Sequence, residues 1–152
     1  MKYIFTFFLV FSFCFTALCQ AENPDYDKKL ADSLGADDYG MKSYILVMLK
    51  TGPNKIDNKA TVDSLFRGHL ANIGRLASLG KLVVAGPLGK NDKSYRGIFI
   101  LNVKTITEAN ELLITDPAIK EKLLEAEIYP WYGSAALPTY LKFHDKVGKK
   151  KI

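Results

Sequence analysis

The side chain best suited to acid–base work is His69, one of two histidines among 152 residues. It lies in NKATVDSLFRGHLANIGRLASLGKLVVAGPL, residues 58–88. On a helical wheel Val62, Phe66, His69, Ile73, Leu76 and Ala77 share one face, while Asp63, Arg67 and Arg75 point elsewhere. An unperturbed imidazole titrates at about pH 6.5, so it can both take and give a proton near neutrality. Set into an apolar stripe, His69 reads either as a proton carrier or as a hydrogen-bonded core histidine. The other histidine, His144, stands beside Asp145 in a basic tail and reads as solvent-exposed. Asp116 before Pro117 has the form of a helix N-cap with proline at the first helical position.

Other residues offer weaker chemistry. Gly86 before Pro87 allows close backbone approach to a ligand, but it also simply turns the chain. Tyr129, Trp131 and Tyr132 are candidates to line an apolar cleft under His69, with packing as the alternative. Arg96 is positioned to attract an acidic substrate, or is a surface charge. Asp37 and Asp38 are adjacent carboxylates without the further oxygen ligands of a cation loop, which points to a charged turn rather than a metal site. No P-loop, GxGxxG, HExxH or GxSxG pattern occurs, so nucleotide, zinc-protease and serine-hydrolase chemistries have no support. The pattern calls for no cofactor and no metal.

The 48% hydrophobic and 24% charged content is that of an ordinary globular domain. Its start is different. Met1 to Leu18 carries one charge, Lys2, then the apolar run YIFTFFLVFSFCFTAL and small residues, which describes a secretory signal peptide of residues 1–19. Cleavage after 19 or as late as 21 leaves no cysteine, since Cys14 and Cys19 are lost. The expected location is periplasmic or secreted, with no membrane anchor after cleavage. A retained anchor is disfavoured because no basic stop-transfer cluster follows. Acylation at Cys19 is disfavoured because Leu18 replaces the usual small residue. Loss of Lys2 leaves 20 Lys+Arg against 16 Asp+Glu, a net +4. Much of that excess is the terminal Lys142, Lys146, Lys149, Lys150 and Lys151, a solvated tail rather than a nucleic-acid face.

The mature chain divides into a polar acidic leader (22–42), a domain (43–133) and a C-terminal arm with basic tail (134–152). Pro24-Asp25 opens a short helix ended by Gly35. Strands are expected over Ser43–Lys50, Lys81–Leu88 (broken at Gly86-Pro87), Tyr95–Val103 and Glu125–Trp131. Helices are expected over Asn58–Leu79, stopped by Gly80, and over Glu108–Thr115, with a further turn or two through Leu124. The order β-α-β-β-α-β is the split βαβ, ferredoxin-like arrangement of the α+β class. Two helices cover one face of such a sheet. The apolar residues on the other face require a partner, and a second copy stacked sheet to sheet makes a homodimer.

RGHLANIGRLASLGKLVVAGPLG, YRGIFILNV, the helix ending in TDPAI, and EIYPWYG together resemble the YCII-related domain family over Ser43 to Gly133. That resemblance implies a dimeric α+β barrel and a catalytic histidine–aspartate dyad, which falls on His69 and Asp116. The split βαβ topology independently allows the pairing: its helices run side by side and antiparallel, so the first half of one approaches the far end of the other. Two functions follow. One is an exported acid–base enzyme of isomerase or lyase type, acting on a small organic, including acidic, molecule. The other is a non-catalytic dimeric ligand-binding or assembly module.

Overall fold

The computed structural model describes residues 23–149. The signal segment with Cys14 and Cys19, its cleavage points, and Lys150 and Lys151 lie outside the described residues. The elements run α1 (Lys28–Leu34), β1 (Met41–Thr51), α2 (Lys59–Ser78), β2 (Leu82–Pro87), β3 (Tyr95–Leu101), α3 (Ile106–Leu113), α4 (Pro117–Lys120), β4 (Leu124–Ser134), a 3-10 turn (Leu137–Tyr140) and α5 (Leu141–Val147). The sheet order is β2-β3-β1-β4, with every pairing antiparallel. This is the expected ferredoxin-like α+β fold, with the apolar strand β1 at its centre. The outer strands are β2 and β4, and each carries a proline, Pro87 and Pro130. Edges tolerate the lost donor. β2 gives out at Gly86-Pro87, as expected: Pro87 is its last residue and still registers with Gly97.

Local chemistry sets the helix ends. Asn58 caps α2 by accepting from Thr61 N–H. At its other end Gly80 takes φ 66°, and Gly80 and Lys81 donate to Ala77 and Leu76, which satisfies two orphan carbonyls. Thr105 and Glu108 form a reciprocal capping box on α3. The helical turn after Pro117 stops at Lys120; Leu124 already belongs to β4, which runs on to Ser134.

Strand alternation divides the sheet into two faces. Ile45, Val47, Leu49, Phe99 and Leu101 face the helices and form the core with Leu76, Ala109, Leu113 and Ala118. Leu46, Met48, Ile98 and Ile100 face the other way and are only half-buried. The inward face of α2 differs from the wheel by one position. Phe66 remains 36% exposed, while Leu65 is half-buried and Asn72 and Leu76 are buried. Among the described residues no helix is long and apolar enough to cross a membrane.

Candidate functional site

The helix pair α2/α4 brings His69 to Asp116. Gly68 makes the approach possible, because an added Cβ there would meet Pro117 Cγ at 2.6 Å. His69 Nδ1 lies 2.6 Å from Asp116 Oδ2 across 47 residues of chain. The two carboxylate oxygens have separate duties. Oδ1 accepts from Ala118 N–H at 2.9 Å, so Asp116 is the cap of α4 as well as the partner of His69. The two readings of Asp116 are therefore both present in one side chain, and neither bond costs the other.

The imidazole is held on its faces too. It stacks on Phe99 at 5.9 Å with 24° between planes, and Phe66 meets it edge-on at 6.1 Å. His69 is 12% exposed and Asp116 1%. Among the described residues Nε2 has no hydrogen-bond partner, and no buried side-chain polar atom is left without one, so Nε2 reaches solvent. With the carboxylate ionised, Nδ1 carries the hydrogen and the Nε2 lone pair points outward. This arrangement can accept a proton at Nε2 and return it.

A second polar layer lies one helical turn along α2. Arg75 Nη2 donates to Asn72 Oδ1 and Thr115 Oγ1, each at 2.7 Å, and the Thr115 hydroxyl donates to Leu112 O at 2.6 Å. It ties the residue before Asp116 to the helix that carries His69. Arg75 lies off the buried face of α2, as the wheel expects, and is exposed; nothing in the sequence marked Asn72, which is buried at 7% exposure. The available signal was spacing: Asn72 follows His69 by three positions and Thr115 precedes Asp116.

The other candidates lie apart from this pair. Gly86, Tyr129 and Trp131 register with Ile98, Leu46 and Tyr44, on the sheet face opposite the one where His69 stacks on Phe99. They do not line a cleft under His69 within this chain, because strand alternation turns them away. The residues beside Phe99 on the His69 face are instead Val47, which is buried, and Ala85, which is exposed. Arg96 is the unpaired residue of the bulge between Leu49 and Lys50 and is exposed. His144 is exposed on α5.

On the open face a second cluster gathers around Glu127. Its carboxylate accepts from Lys50, Tyr95 and Tyr129 at 3.0–3.2 Å. The Lys50 ammonium, then the Tyr95 hydroxyl, hold Glu127 below its ordinary pKa, and the carboxylate in turn raises both phenols.

Neither models of known protein families nor curated proteins give a match to this sequence. Among solved structures the chain is similar to 5-chloro-2-hydroxyhydroquinone dehydrochlorinase from Burkholderia phenoliruptrix AC1100, solved in complex with 2,5-dihydroxybenzoquinone. The TM-score is 0.41 at 20% identity, covering 57% of this chain and 92% of that one.

Proposed function

We propose that this chain is an exported acid–base catalyst acting on a small organic molecule, with His69 carrying the proton and Asp116 orienting it. One observation carries the reading: Nδ1 is held at 2.6 Å while Nε2, among the described residues, has no hydrogen-bond partner and is not fully buried. A carboxylate behind one ring nitrogen fixes the tautomer and leaves the other nitrogen able to take a proton. Such a base removes a proton from carbon next to a carbonyl. It then returns the proton at another carbon, an isomerisation, or lets a leaving group depart, an elimination. Phe66 and Phe99 make the surroundings of the ring apolar, which suits an uncharged reacting portion. The resemblance of the sequence motifs to the YCII-related family supports the same pair. The half-exposed apolar face of the sheet supports a homodimer, and the N-terminal apolar run supports export.

The test is hydrogen–deuterium exchange next to the carbonyl in a panel of small keto acids, lactones and enols, followed by NMR in heavy water. Exchange by the purified chain that is lost in His69→Gln, with folding retained, supports the reading. No exchange with any compound, or exchange that persists in the variant, overturns it. A non-catalytic dimeric module is favoured by a different fact. Two surface clefts, of about 410 and 480 Å³, are present, and neither is lined by His69 or Asp116. That reading requires saturable ligand binding without turnover and without dependence on His69.

A further inference from the structure

The smaller of those clefts, about 410 Å³, opens at the end of the sheet beneath the leader. Leu34 and Asp37 wall it from the leader, Lys42 and Ser43 from β1, Lys104 from the loop after β3, and Tyr132 from β4. Its volume falls within the range of about 300–1,000 Å³ seen for small-molecule sites. Two of the lining residues are lysines, and their charges are not matched by the protein. The Lys42 ammonium donates to Leu34 O at 3.2 Å and lies 5.1 Å from the Tyr44 ring centroid. A carbonyl and an aromatic face compensate a full charge only in part. Among the described residues neither Lys42 nor Lys104 forms an ion pair with a carboxylate.

Asp37, the carboxylate in the cleft, is already engaged. Its Oδ1 accepts from Tyr39 N–H at 2.9 Å and Met41 N–H at 3.0 Å, and its Oδ2 accepts from the Tyr132 hydroxyl. Burial lowers the pKa of Lys42, and the positive charge of Lys104 lowers it further. Both costs would be relieved by a negative charge placed between the two ammonium groups. The lining holds two lysines against one carboxylate, an excess of positive charge that draws anions from solution.

We propose that this cleft binds a small organic anion, Lys42 and Lys104 gripping the oxygens of its carboxylate or phosphate group, since Asp37, the protein carboxylate there, is engaged by Tyr39, Met41 and Tyr132. Ser43 and Asn102, also at the cleft, add hydrogen-bonding groups for the remainder of such a molecule. The leader contributes one wall, so the site is a product of that segment docking on the domain. It shares no residue with the His69–Asp116 pair and stands whether or not that pair is catalytic.

The experiment is calorimetric and NMR titration of the processed chain with inorganic phosphate in one arm and succinate in the other. Binding of either, with amide shifts at Gly35, Lys42 and Lys104, is the expected result, and the arm that responds identifies the anionic group. Lys42→Gln and Lys104→Gln should each weaken it by roughly tenfold or more at unchanged melting temperature, while Lys42→Arg retains most of it. Lys90→Gln, at an exposed hairpin lysine, should change nothing. Failure of both anions to bind, or equal binding by the Lys42→Gln/Lys104→Gln double variant, overturns the proposal.

Discussion

Substituting Gly68 tests whether close contact between α2 and α4 is what joins His69 to Asp116. Glycine inside a helix is ordinarily worse than alanine by about 0.5–1 kcal/mol, because it has more backbone freedom to lose. On that ground alone Gly68→Ala would stabilise the protein. The structure reverses the sign. The new Cβ would sit 2.6 Å from Pro117 Cγ, and the ring is not the free end of a flexible side chain. That is about 1 Å inside the favourable separation of two carbons. If the helices part by that amount, the Nδ1–Oδ2 distance of 2.6 Å grows beyond hydrogen-bond range. Overpacking of this kind costs about 1–3 kcal/mol. Gly74, on the same helix, has nothing within 4 Å of an added Cβ, so Gly74→Ala is the internal control. It should stabilise by about 0.5–1 kcal/mol. Urea unfolding of the two variants should therefore give opposite signs, and nitrogen-15 NMR of the imidazole should show Nδ1 losing its carboxylate only in Gly68→Ala. Equal stabilisation by both substitutions would refute the close-contact account of the site.

Asp116→Ala removes a cap worth about 1 kcal/mol and strands the Nδ1–H of His69, at about 1–3 kcal/mol more. Asp116→Asn keeps an acceptor and should recover part of that loss in chemical denaturation; equal losses would mean that the oxygen atoms are not what matters. Asp37 has its pKa lowered, first by the Tyr132 hydroxyl and then by Met41 N–H. Its folded value lies below its unfolded one, so its contribution is present above the ordinary carboxylate range and fades as pH falls through the depressed value. The melting-temperature gap between the native chain and Asp37→Asn should accordingly be open at neutral pH and close in acid, and a gap constant with pH contradicts the cause given. Leu46 and Ile100 face each other across β1 and β3 on the open sheet face. Leu46→Glu/Ile100→Glu should convert a dimer to a monomer in sedimentation, and a native chain that already sediments as a monomer rules out the stacked pair.

Much of this architecture can be read from residue order. Thr105 and Thr107 both offer a cap for α3, of which the structure uses Thr105; Gly80 and Asn58 bound α2, and the apolar run of β1 announces a central strand. The pairing of His69 with Asp116 comes from the resemblance to the YCII-related family; residue order and the split βαβ topology only allow it. What residue order misses is decided by tertiary contact. Leu65 and Asn72 join the inward side of α2 while Phe66 stays 36% exposed, which no wheel built on apolar character alone can foresee. The buried Asn72 Oδ1 is satisfied by the Arg75 guanidinium, which also donates to Thr115, and neither partner stands out in an apolar pattern. Gly86, Tyr129 and Trp131 were within reach of strand parity: the pairing of Tyr129 with Leu46 places them away from Phe99 once the register is known. The lysine cleft was out of reach, since it exists only where the leader folds back over the sheet end.

The prolines at the two outer strands have a consequence for how copies of this chain meet. A strand offered to either rim of the sheet would find an amide hydrogen missing, at Pro87 on one side and Pro130 on the other. Growth by adding strand to strand, the route to open-ended fibres, is thereby discouraged at both rims. The dimer proposed above would use the broad apolar surface instead, a pairing that closes after two molecules.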